Sequence, residues 1–354
     1  MKYYIEYILQ QYMLKLLKIS LLTLTFTLFY SISTLVFAKT LDEVKNRGYL
    51  KCGVSDEDFI GFSSINDLGK WKGFDIDLCK SIAIAIFGDS DKVEFLPMTS
   101  RSRFPSLAFK EIDVLIRNTT WSFSRDVNLE FEFTGINFYD GQAFMVSKSF
   151  NINSILDLDD AKICIVSGTS YELNIKNFFN KNLIDYEPLI LNNFDEAKEN
   201  YINGNCDALT SDLSVLAVLR LKIPDSSNHM LLPEIISKEP LGPVVRQDDG
   251  NWIDIIRWVL NVLIIAEEKN LNQNNVKENL QSTDKEVLRI LGVIGNYGNM
   301  LELEDDWAYN IIEELGNYGV IFEKNLGRSS ALELERGLNK LWTKGGILYA
   351  PPFR

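Results

Sequence analysis

A single histidine, His229, is found among the 354 residues. A His-ligated metal centre and a Ser-His-Asp triad each need an imidazole of their own, so this count argues against both. The four cysteines, Cys52, Cys79, Cys164 and Cys206, show no CxxC spacing, which argues against zinc. No basic cluster interrupts the body of the chain. With 36 Lys and Arg against 49 Asp and Glu the formal charge is −13, so the cationic footprint of a nucleic-acid binder is missing. No transmembrane helix or signalling module follows the N-terminal region, which disfavours a receptor sensor. Apolar content of 46% and aromatic content of 12% are ample for a packed core and set disorder aside.

What is present begins with an export signal. Lys15 and Lys18 precede an apolar run over 19–37 that ends Leu35-Val36-Phe37-Ala38. A charged region, a hydrophobic region and tolerated residues at −3 and −1 form the pattern of a cleavable secretory signal, here 1–38 with cleavage after Ala38. Ser20, Thr23, Thr25 and Thr27 inside the run weaken the alternative of a membrane anchor. The remaining length suits two domains in the periplasm. In that oxidising compartment two disulfides are expected, Cys52–Cys79 early and Cys164–Cys206 late, one per domain; buried reduced thiols are the alternative.

The segment 111–125, EIDVLIRNTTWSFSR, is the richest in chemistry. A short buried-strand run, DVLI, empties into Arg117, Asn118, Thr119 and Thr120, then Trp121 and Arg125. In open α/β sheets ligands collect outside the carboxyl ends of strands, so this reads as half of a crevice. Around it the chain alternates strand, helix, strand, helix, strand, which implies a mostly parallel α/β sheet. Two extended stretches, 141–146 and 241–246, bracket a second alternation. The pattern therefore predicts lobe 1 from 39–140 and 247–354, an inserted lobe 2 over 147–240, and those two stretches as hinges. The helical tail after residue 270 is expected to pack on the first lobe.

These stretches resemble the amino-acid-binding proteins of periplasmic ABC importers, family 3 of the bacterial extracellular solute-binding proteins, and within it the general L-amino-acid-binding branch. The resemblance rests on GFDIDL at 73–78, RNTTW at 117–121, SGTS at 167–170, the stretch 207–212 and PEIISKEPLGPVVR at 233–246. It implies the bilobal type II periplasmic-binding-protein fold. It implies that Arg125 clamps a ligand α-carboxylate through its planar fork and that Asp212 receives the α-ammonium. Asn118, Thr120 and Ser170 add backbone and hydroxyl contacts. Trp121 and Phe59 are candidate pocket walls. Asp212 and Ser170 are also expected to cap the helices that follow them. Where lysine- and histidine-binding relatives carry an aromatic wall, this chain has Ser100-Arg101-Ser102, which favours broad specificity.

The resemblance implies a non-catalytic monomer that closes around free L-amino acids and delivers them to an ABC permease, with no cofactor and no metal. The competing reading is a periplasmic enzyme on the same fold, similar to a cyclohexadienyl or arogenate dehydratase. Such an enzyme needs a general acid facing the pocket, and the sequence offers few candidates beyond Asp212. Arg117 has no role that the sequence explains.

Overall fold

A computed structural model describes residues 1–31, 39–56 and 58–354. The expected cleavage site at 35–38 lies outside the described residues. The N-terminal unit carries a helix over Lys2–Ser31. No helix among the described residues is long and apolar enough to cross a membrane.

The second unit, Thr40–Arg354, holds two five-stranded sheets. In the first, the order is Val93–Met98, Leu50–Ser55, Val114–Leu115, Val244–Arg246 and Phe131–Phe133. The first three strands run parallel, and Val244–Arg246 enters antiparallel between Val114–Leu115 and Phe131–Phe133. The second sheet repeats the plan with Tyr186–Leu191, Ala161–Val166, Ala208–Asp212, Gln142–Ser147 and His229–Leu231. Its parallel trio is likewise closed by antiparallel strands.

Residues 141–146 and 241–246, expected as hinges, lie mostly inside these sheets. Their apolar runs are the mark of strands buried on both faces. The chain crosses between sheets slightly earlier, on Phe138–Asp140 and Glu239–Leu241, which pair as an antiparallel ribbon. At the crossing the backbones nearly touch. A Cβ on Gly242 would sit 2.1 Å from the carbonyl oxygen of Gly135, so only glycine fits.

The helix Gly250–Glu268 lies at the centre of the first lobe, burying Trp252, Ile256, Val259, Leu263 and neighbouring apolar side chains. Asp249 caps it by accepting from the Trp252 amide at 3.1 Å. The tail joins the same core through Trp307, Ile311, Tyr318, Phe322, Leu341 and Phe353. It is also tied by charge: Arg336 grips Glu267 with two hydrogen bonds of 2.6 and 2.9 Å.

The GFDIDL motif has a structural explanation. Gly73 adopts φ +137°, and a Cβ there would lie 2.1 Å from the Phe62 carbonyl oxygen. The helix Phe74–Phe87 then opens with Asp75 and Asp77 in its first turn, where carboxylates favour the helix dipole. Asp77 accepts from Lys324 and Asn325 of the tail at 2.9 and 2.7 Å.

Both expected disulfides are present. Cys52–Cys79 ties the strand Leu50–Ser55 to the helix Phe74–Phe87 with 6.1 Å between Cα atoms. Cys164–Cys206 spans 5.8 Å in the second lobe. Each lobe thus carries one covalent staple.

Candidate solute-binding cleft

The carboxyl ends of the two sheets face each other across a narrow cleft with about 30 Å³ of cavity volume. Its walls include Ser100, Arg103, Arg117, Asn118, Thr120 and Arg125 from the first lobe, and Ser170, Tyr171 and Asp212 from the second. The lobes touch directly. Arg103 donates to the Gly168 carbonyl at 3.4 Å, Arg101 to Asn192 at 3.5 Å, and Phe59 meets Phe194 edge-on at 5.3 Å.

Arg125 rides on a single π-helical turn, Ser124–Asn128, a distortion that often marks functional sites. Its Nη1 donates to the Thr120 carbonyl at 2.9 Å and its guanidinium lies 5.5 Å from the centre of the Phe104 ring. Among the described residues no carboxylate lies within ion-pair distance of it. Burial pushes its pKa down, opposed by the charges of Glu239 and Asp212. Arg103, 2% exposed and likewise without an ion-pair partner among the described residues, has an unbonded Nε. Burial holds its pKa well below the ordinary value, and the neighbouring Arg125 adds to the shift.

Asp212 ends the strand Ala208–Asp212 fully buried, and its Oδ1 has no hydrogen-bond partner. Burial, with Asp140 and Glu239 nearby, raises its pKa well above the carboxylate range. The expected cap is not made by Asp212. The amide and hydroxyl of Ser214 both donate to Asp140, which reaches the helix Leu213–Lys222 from the neighbouring strand and leaves Asp212 turned to the cleft. Ser170 behaves similarly. It stands at the start of the helix Tyr171–Asn182 but makes no cap bond, because its hydroxyl donates to Glu239 at 2.9 Å.

Asn118, at φ +37°, presents a carboxamide whose nitrogen and oxygen are both buried and unbonded. Thr120 points inward and donates to Glu239 at 2.5 Å. Trp121 does not line the cleft. Thr120 bridges to Leu241, and the Trp121 amide donates to the Pro240 carbonyl at 2.8 Å. Strand-like alternation therefore sends Thr120 in and Trp121 out, where the indole stacks on Phe133 at 5.6 Å and donates to Asp126. Phe59 does line it, and with Phe194 it also borders an adjoining apolar cavity of about 230 Å³.

The cleft thus sets the buried Arg125 of the first sheet and the buried Asp212, with its unbonded Oδ1, of the second on facing walls. The model of the bacterial extracellular solute-binding proteins, family 3, matches residues 50–309. The chain belongs to that family. Among curated relatives of this solute-binding protein, the general L-amino acid-binding periplasmic protein AapJ of Rhizobium johnstonii is 47% identical over 319 residues, spanning 90% of this chain and 93% of its own. The glutamate/glutamine/aspartate/asparagine-binding protein BztA of Rhodobacter capsulatus is 46% identical over 318 residues, 90% of this chain and 94% of its own. Among solved structures, an ABC transporter periplasmic binding protein from Brucella ovis with glutathione bound superposes with a TM-score of 0.87 at 47% identity. It covers 90% of this chain and 100% of that one.

Several residues of this family 3 protein's cleft escaped sequence reasoning. Arg103 read only as the start of a helix, and Glu239 only as one position of the stretch 233–246. The signal for Arg103 was a cation just before the Phe-Pro-Ser-Leu run that packs against the sheet end. Glu239 gave none, because Thr120, Ser170 and Asn174, three of its partners, are distant in sequence. Arg117 now has an explanation: its Nε donates to the Met98 carbonyl at 2.6 Å, its Nη1 to Ser100 at 3.2 Å, and it pairs with Asp56 at 3.5 Å. It braces the two parallel strand ends that form the cleft floor.

Proposed function

We propose that this chain is a periplasmic, monomeric binding protein that captures L-amino acids between its lobes and hands them to an ABC-type permease. The observation that carries the reading is the placement of Arg125 and Asp212 on one buried cleft, neither of them in an ion pair among the described residues. A zwitterion supplies both: its α-carboxylate meets Arg125 and its α-ammonium meets Asp212, while Asn118, Thr120 and Ser170 complete the polar shell. Lobe closure about the ribbon Phe138–Asp140 and Glu239–Leu241 brings the two halves together.

Arg103 adds a second cation beyond the one an α-carboxylate needs. It suits acidic and amide side chains, in keeping with the name of the Rhodobacter relative, and the adjoining apolar cavity offers room for larger substituents. Broad specificity follows. The glutathione of the Brucella structure fits the same logic, since its γ-glutamyl end is a free α-amino acid. The sequence 1–38 serves as the export signal. No reaction is assigned, because a bound zwitterion accounts for both Arg125 and Asp212.

A thermal-shift screen of the twenty L-amino acids and glutathione tests this. Ligands that bind only the folded state raise the melting temperature, with a stabilisation that grows as the logarithm of concentration over Kd. The expected result is stabilisation by several, glutamate and glutamine among them. No shift with any, or turnover of prephenate or arogenate, would overturn it.

A further inference from the structure

Glu239 lies behind both faces of the cleft, 1% exposed, on the strand that crosses between the lobes. Its Oε2 accepts from Thr120 Oγ1 in the first lobe at 2.5 Å and from Ser170 Oγ in the second at 2.9 Å. Its Oε1 accepts from Asn174 Nδ2 at 2.7 Å and from Ser237 Oγ at 2.6 Å. Four donors surround it. A carboxylate can accept from all four, whereas a carboxamide turns one end into a donor facing donors.

The consequence reaches the ligand. A hydroxyl has one hydrogen, and Thr120 and Ser170 both direct theirs to Glu239. Their oxygens are left to the cleft as acceptors only, which suits an ammonium and rejects a carboxylate at that point. We propose that Glu239 is a positioning residue that couples lobe closure to recognition of the ligand's amino group. It holds the first lobe's loop and the second lobe's helix to the crossing strand, and in doing so fixes which way both hydroxyls face. The charged and titratable groups around it are Asp140 beside it in the ribbon, Arg125, Asp212 and Tyr171. This inference rests on the amino-acid reading of the cleft, and its test separates the two.

The test uses the exported protein and its E239Q variant. With L-glutamate and L-glutamine as probes, calorimetry should show affinity reduced at least tenfold in E239Q, and stopped-flow fluorescence should place the loss in a faster dissociation rate. Hydrogen exchange, read in free and ligand-saturated protein, should quicken together in peptides carrying Thr120 and Ser170–Asn174 and stay unchanged elsewhere. Affinity within twofold of the parent, or a lowered melting temperature without that paired local change, overturns the proposal. If the parent protein binds no amino acid, the amino-acid reading fails instead. The exchange comparison then decides the coupling, and unchanged exchange at both peptides sinks it.

Discussion

Asp140 and Glu239 sit opposite each other in the ribbon that joins the lobes, and each accepts hydrogen bonds from the first turn of a second-lobe helix. Asp140 holds the helix Leu213–Lys222 through Ser214, and Glu239 holds the helix Tyr171–Asn182 through Ser170 and Asn174. The crossing strands therefore aim two helix starts at the cleft as well as linking two bodies.

Replacing Arg125 by Ala should weaken any amino-acid ligand about a hundredfold or more, because a ligand carboxylate is then desolvated without its charged partner. Lys at this position should restore only part, since an ammonium cannot present two parallel donors. Calorimetry on both variants measures this, and an R125A variant with unchanged affinity would remove the carboxylate assignment.

Arg103→Leu separates side-chain recognition from backbone recognition. Affinity for glutamate and aspartate should fall about tenfold or more, as for a lost charge-assisted bond. Affinity for alanine should move by less than about threefold. Equal losses for all ligands would mean that Arg103 acts on the head group or only on lobe contact.

Trp121→Ala should cost about 1 kcal/mol of stability through loss of the stack on Phe133. Ligand affinity should stay within about twofold, because the indole faces away from the cleft. Denaturant unfolding and calorimetry read the two effects independently, and a large affinity loss would restore Trp121 to the pocket.

Stability should rise as pH falls from 8 to 5. Burial raises Asp75 to about 7 and Asp140 to about 6, from an ordinary 3.8. A carboxyl with a raised folded-state pKa contributes stability that is complete below the unfolded value and is lost as pH climbs through the folded one. For Asp75 the change across this window is on the order of 2 kcal/mol. Asp284 and Glu286, lowered by Lys269, work in the opposite sense only at more acid pH. Asp75→Asn should flatten the rise in melting temperature, and an unaltered pH profile would show that Asp75 stays ionised in the fold.

Cys164→Ser with Cys206→Ser should destabilise the protein by about 3–4 kcal/mol, the loop-entropy expectation for a closure of 42 residues. Urea unfolding of the double variant against the parent measures it. A loss of unfolding free energy under about 1 kcal/mol would mean that the unfolded chain keeps the two cysteines near each other.

The α/β alternation and both disulfides were legible because each leaves a local trace: apolar period and cysteine spacing. Arg125, Asp212, Asn118, Thr120, Ser170 and Phe59 were likewise gathered into one cleft. The failures share a cause. Trp121 and Thr120 differ by one position, and which of them faces inward is set by a bridge to Leu241, more than a hundred residues away. The caps expected of Asp212 and Ser170 were displaced by acids on the crossing strands. Those strands are only three residues long, too short for periodicity to mark, so the hinges were read into the longer strands beside them.

The placement of Val244–Arg246 between Val114–Leu115 and Phe131–Phe133 also has a bearing on the order of synthesis. Every strand of the second sheet has been made once residue 231 emerges, and its disulfide partners are both present by residue 206. The first sheet, begun at Leu50, is still missing an interior strand at that point, and its core awaits Phe353. A chain threading through a membrane pore from its N-terminus would thus deliver the inserted lobe ready to fold while the lobe that encloses it, and with it the Arg125 half of the cleft, stays open until the last residues arrive.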